Sequence, residues 1–195
     1  MSRRAAAAVA IAAIAIAAGW LLFVGLPRWY GSRPLAESAA ARNAPAAERK
    51  ITATLYYISE DGLALVGVQR EVPFGEPVDQ QAQRILEAQL ARAPAPLSSA
   101  IPETTTLKSL FLDGNGHAFV DLSADARVRH TGGALDELFT IYAIVNALTV
   151  NLPAITRVQI LVDGKEVDTL AGHVDLRHPL QKNLKWVRAE DKEGS

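Results

Sequence analysis

The 195-residue chain contains no cysteine. That absence excludes disulfides, thiol catalysis, a thiolate metal site and a cysteine-borne lipid anchor. Phosphate-cradling glycine loops are missing too: neither G-x-G-x-x-G nor a Walker motif occurs, and the glycines fall at turns. The four histidines, His117, His130, His173 and His178, include no pair at the i, i+4 spacing of a helical metal site. Positive charge is scarce after the first fifty residues. Up to Lys50 there are seven basic residues against two acidic ones, a net of +5; the remainder holds 13 against 19, a net of −6. A domain of that sign lacks the lysine and arginine clusters on which nucleic-acid affinity rests, so DNA and RNA are excluded as partners.

What is present begins with a long apolar run. After MSRR (1–4, read as a cytoplasmic lead) comes AAAAVAIAAIAIAAGWLLFVGL, residues 5–26, without a charge. As a helix, its 22 residues rise about 33 Å, enough for a hydrocarbon core of about 30 Å. Trp20, Trp29 and Tyr30 lie toward one end, as an interfacial belt requires. The alternative is a cleaved signal peptide ending at Ala15-Ile16-Ala17, but cutting there leaves WLLFVGL exposed to water. The expectation is a single-pass anchor in the cytoplasmic membrane. The short lead places the rest of the chain on the extracytoplasmic, periplasmic side. Residues 27–50, rich in alanine and polar residues, read as a linker, and 189–195 as a charged tail.

Between them, residues 51–188 read as one α+β domain: two helices packed on a mostly antiparallel or mixed sheet. ITATLYYI and ALVGVQREV are strands around a Ser-Glu-Asp-Gly turn. PVDQQAQRILEAQLAR is an amphipathic helix carrying Val78, Ala82, Ile85, Leu86 and Leu90 on its apolar face. Prolines 94, 96 and 102 end it. TLKSLFLD and HAFVDL form a hairpin around Gly114-Asn115-Gly116. Gly132 and Gly133 precede a second helix, ALDELFTIYAIVNALTVNL, with Leu135, Leu138, Tyr142, Val145 and Leu148 as its core stripe. Phe139, Ile141 and Ile144 widen that stripe beyond one face, which makes them the candidate partner contact and leaves an oligomer open. RVQILVD and the return strand KEVDTL turn at Asp163-Gly164.

The stretch HAFVDLSADARVRHTGG gathers the residue types of a hydrolase site, yet its spacing argues against one. On a strand, His117 and Asp121 share a face but stand about 13 Å apart, too far for a catalytic hydrogen bond. Ser123 lacks the G-x-S-x-G elbow and fits a loop position. Asp136 and Glu137 complement the dipole at the start of the second helix. No catalytic, cofactor-binding or metal site is expected.

Four stretches in order, TLYYISEDGLALVGVQREV, RILEAQLARAP with IPETTTLKSLFLDGNGHAFVDLS, ELFTIYAIVNALT, and ITRVQILVDGKEV, resemble the GerMN domain of bacterial sporulation and germination proteins. The likeness runs from about Ile51 to Asp175. It departs where LARAPAP stands in place of the family's Leu-x-x-Gly-Pro. The resemblance implies a domain displayed outside the cytoplasmic membrane that binds partners in envelope assemblies and carries no catalytic residues. The leading expectation is therefore a non-catalytic, membrane-anchored binding or scaffolding module that meets envelope proteins or cell-wall fragments. The alternative is a wall-directed hydrolase or transferase using Asp121, Ser123 or the His173–His178 region.

Overall fold

Strand β1 (Lys50–Ile58) is made of β-branched and aromatic residues and pairs antiparallel with β2 (Leu65–Pro73) in an unbroken register from Lys50 opposite Pro73 to Ile58 opposite Leu65. In the computed structural model, which describes residue 20 and residues 49–188, the elements that follow are α1 (Val78–Leu90), β3 (Leu107–Leu112), β4 (His117–Leu122), α2 (Asp125–Val128), α3 (Ala134–Asn151), β5 (Arg157–Val162), β6 (Lys165–Glu166) and β7 (Leu180–Gln181). The described elements from β1 onward all belong to one compact unit that starts at Glu48. The expected membrane span over 5–26, all of the linker but its last two residues, and the tail lie outside the described residues. Among the described residues no helix is long and apolar enough to cross a membrane.

Within residues 49–188 the fold is α+β, with three helices against mixed sheets where two helices were expected, the short α2 being the addition. Two sheets form where one was expected. The β1–β2 hairpin stands alone; the second sheet runs β3-β4-β5-β6, with β7 also pairing β5. Within it β4 and β5 are parallel, joined through α2 and α3, and the other pairs are antiparallel. The separation has a local cause. The free edge of β1 is occupied by side chains: Asn151 bonds both the N–H and the carbonyl of Thr54 (2.8 Å each), and Gln89 does the same for Tyr56 (2.8 and 2.7 Å). The backbone of Ser98 then exchanges hydrogen bonds with Ile58. Two carboxamides and one loop residue thus replace a third strand, satisfying backbone groups whose burial would otherwise be costly.

The expected return strand is also shorter than its sequence. KEVDTL pairs only through Lys165 and Glu166, because the N–H groups of Leu170 at its end and of Ala171 and His173 just beyond it donate to the Glu137 carboxylate on α3. The edge of β5 that this leaves is taken up farther along by β7, opposite Arg157 and Val158.

Helix α3 is the centre of the core. Expected stripe members Val145 and Leu148 are fully buried, but Leu135 is 38% exposed and Leu138 and Tyr142 are half-buried. Phe139, Ile141 and Ile144 have no exposed surface at all. The expectation that these three meet a partner is therefore corrected. They are interior residues of the monomer, because α3 packs against β1, α1 and β5 at once. A helix surrounded on several sides needs an apolar circumference rather than one stripe, which is why its sequence looked over-wide. On β4 the alternation is as read: Ala118, Val120 and Leu122 are fully buried on the core face.

Candidate functional site

Helix α1 stops at Ala91, and prolines 94, 96 and 102 hold the following chain in a loop. Three attachments fix that loop. Ser98 pairs with Ile58 of β1; the Ser99 hydroxyl bonds the backbone of Ile101 in both directions, at 2.9 and 3.1 Å; and the Ala100 carbonyl accepts from the Thr140 hydroxyl of α3. Facing it is the segment between α2 and α3. Here Gly133, with φ of 91°, adopts a conformation that side-chain-bearing residues rarely take, and it delivers the chain into α3.

Between the two segments lies an open cavity of about 390 Å³, lined by Arg92, Leu97, Ile101 and Glu103 on one side and Arg129 and His130 on the other. The histidine is set by a continuous chain of hydrogen bonds. Gly132 N–H donates to Nδ1 (3.0 Å), so Nε2 carries the proton and donates to Thr140 Oγ1 (3.1 Å), which donates in turn to Ala100. One imidazole therefore ties both walls to α3. Arg92 and Arg129 are exposed, and neither enters an ion pair among the described residues.

A second polar centre is built on the fully buried Glu137. Besides the three backbone donors, Glu137 faces His173 Nδ1 at 3.1 Å. An ionised carboxylate only accepts, so Nδ1 is the protonated nitrogen. Burial pushes the Glu137 carboxyl upward, but the N–H groups of Ala171, His173 and Leu170 and the His173 ring outweigh it, and the net effect holds the group below its ordinary range. Sequence reasoning placed Glu137 at the helix start for its dipole and missed this. The residues it clamps are more than thirty positions away, so no local pattern carries the signal.

The residues weighed for hydrolysis do not converge. His117 contacts its own turn, with Nδ1 3.2 Å from Asp113. Asp121 accepts from Gly164 N–H at 2.7 Å and fastens the β5–β6 turn. Ser123 Oγ accepts from Thr106 N–H at 3.1 Å. His173 is bound to Glu137, whereas Asp175, near His178, is held far below the usual carboxylate range, first by the Arg177 guanidinium. Among the described residues no group of histidines and carboxylates is arranged to hold a metal ion.

This architecture is shared. The family model Germane, described as sporulation and spore germination, matches residues 54–168. The match spans more than half the chain, and the chain belongs to this family. A solved protein from Clostridium perfringens, assigned as a lipoprotein, is 26% identical with a TM-score of 0.50, over 68% of this chain and 88% of its own. The first GerMN domain of the sporulation protein GerM from Bacillus subtilis is 19% identical with a TM-score of 0.50, over 68% of this chain and 96% of its own. The tandem GerMN domains of the same protein give 19% and 0.54, over 68% and 46%. At that identity the Bacillus structures speak for the fold alone. Comparison with curated proteins gives no match.

Proposed function

We propose that the chain is a non-catalytic binding or scaffolding module of the bacterial cell envelope, anchored by residues 5–26 with its folded unit on the extracytoplasmic side, where it meets envelope proteins or wall fragments. The observation that carries this reading is how the polar side chains are used. Asp121, Ser123 and Glu137 each accept hydrogen bonds from backbone N–H groups, and His117 and His173 contact the carboxylates of Asp113 and Glu137. Groups occupied in this way serve the fold, and a nucleophile with an adjacent base is not assembled from them. One relative, the Clostridium perfringens protein assigned as a lipoprotein, supports envelope display.

The test uses the full chain in its own membrane. Externally added protease is expected to remove the folded unit from intact spheroplasts, and the intact mass of membrane-extracted protein is expected to include residues 5–26. Detergent-solubilised protein should sediment with purified wall sacculi and release no soluble fragments from them. A mature chain beginning near Ala18, or protection from external protease, overturns the anchored arrangement. Fragment release that Ser123→Ala or Asp121→Asn abolishes establishes the hydrolase instead.

A further inference from the structure

The cavity between the 92–103 loop and the 129–131 segment has features of a ligand site. At about 390 Å³ it falls within the range of small-ligand pockets, roughly 300–1,000 Å³. Its walls are fixed before any ligand arrives, by the Ile58–Ser98 bridge and the His130–Thr140–Ala100 chain. Such preorganisation lowers the ordering cost of binding. Two guanidiniums line it without an ion pair among the described residues, whereas Lys108, Arg177 and Arg188 elsewhere in the domain each hold a carboxylate at 2.6–2.8 Å.

We infer that this cleft binds a short peptide through its free carboxylate. The inference rests on the proposed role as an envelope module, and it names the chemistry of the wall fragment that such a module would take. The lining selects this class in three ways. Arg92 and Arg129 offer planar forks that match a carboxylate. Glu103, on the same cavity, repels a compact dianion such as phosphate but accepts the amide N–H donors that a peptide carries. The half-buried Ala93 and Leu97 supply an apolar surface suited to small aliphatic side chains such as alanine.

The test titrates the detergent-solubilised full chain with N-acetyl-D-alanyl-D-alanine, with the same dipeptide as its C-terminal amide, and with inorganic phosphate. The acid is expected to bind, and the amide to bind about tenfold more weakly or worse, since it offers the guanidiniums no charged acceptor. Arg92→Gln and Arg129→Gln are each expected to weaken the acid by a similar factor while leaving the melting temperature unchanged, because neither side chain holds an ion pair. Glu103→Gln should strengthen phosphate relative to the peptide. Phosphate binding more tightly than the acid to the unaltered chain, equal binding of acid and amide, or no binding of any probe overturns the inference. Those results leave the envelope reading standing if the protease and mass tests hold, so the two failures are distinguishable.

Discussion

Gln89 of α1 and Tyr56 of β1 are joined by two hydrogen bonds, of 2.8 and 2.7 Å, in which a side-chain amide supplies the donor and the acceptor that a neighbouring strand would give. Asn151 repeats the device at Thr54, and Asn146 repeats it at Asn183, at 2.8 and 3.0 Å. Gln81 spans Gly75 N–H and the Pro73 carbonyl in the same manner, at 2.8 and 3.2 Å. The helices thus dock on backbone edges as well as on apolar faces. Such contacts are directional, so they fix where each helix sits along a strand, which hydrophobic contact alone leaves loose.

Replacing Gln89 tests this directly. Gln89→Leu strands the N–H and the carbonyl of the buried Tyr56 and is expected to cost roughly 2–5 kcal/mol, read as a lowered denaturant midpoint. Gln89→Glu keeps the acceptor for Tyr56 N–H but sets a carboxylate against the Tyr56 carbonyl. Its carboxyl is expected to titrate above the ordinary range, so the variant should gain stability relative to the unaltered protein as pH falls and the acid becomes able to donate. A pH-independent gap between the two proteins counts against the edge-capping role.

Glu137 makes the opposite prediction. Its ordinary value is 4.5, and the clamp on Leu170, Ala171 and His173 lowers it in the folded chain. A lowered carboxyl contributes stability that is complete above its unfolded value and is lost as pH drops through the folded one. Glu137→Gln cannot accept from every donor around it, and it carries no charge to lose. It is expected to be less stable at neutral pH by roughly 2–4 kcal/mol, with the difference shrinking toward pH ~3. Amide exchange should locate the loosening first at residues 170–173. Uniform loosening across β1 and α1 instead would mean that Glu137 acts through the core rather than the clamp.

These contacts mark the limit of what the sequence discloses. Periodicity located α1, α3, β4 and the core face of Ala118, Val120 and Leu122, because burial leaves a local pattern. It also led to the expectation of one sheet and a full KEVDTL strand. Both departures arise from polar side chains that reach distant backbone: Gln89 and Asn151 end the first sheet, and Glu137 cuts the return strand short. A glutamine on a helix reads the same whether it faces water or a strand edge. The cleft was equally illegible, since Arg92 and Arg129 become neighbours of one cavity only after α1 and α3 have packed.

The interior position of the α3 side chains has a sharp consequence. Phe139→Glu and Ile144→Glu each place a charge where there is no solvent, and both are expected to unfold the domain or lower its melting temperature severely. A folded Ile144→Glu protein that merely loses an association would return this face to the surface and restore it as a partner contact.

The hydrolase alternative turns on residues that should tolerate change. His117 sits half-buried beside Asp113 in the β3–β4 turn, and His117→Ala removes a contact at the rim of the fold. Ser123→Ala removes one acceptor from Thr106 N–H, at a cost of about 1 kcal/mol. Val120→Asp, on the core face of the same strand, buries a carboxylate without a partner and is expected to cost several kcal/mol. Circular dichroism melts should therefore separate Val120→Asp from the other two. A complementation assay should find His117→Ala and Ser123→Ala active at the level their stability allows. If Ser123→Ala melts like the unaltered protein yet fails to complement, the hydroxyl does chemistry that its bond to Thr106 conceals, and the binding-module reading gives way.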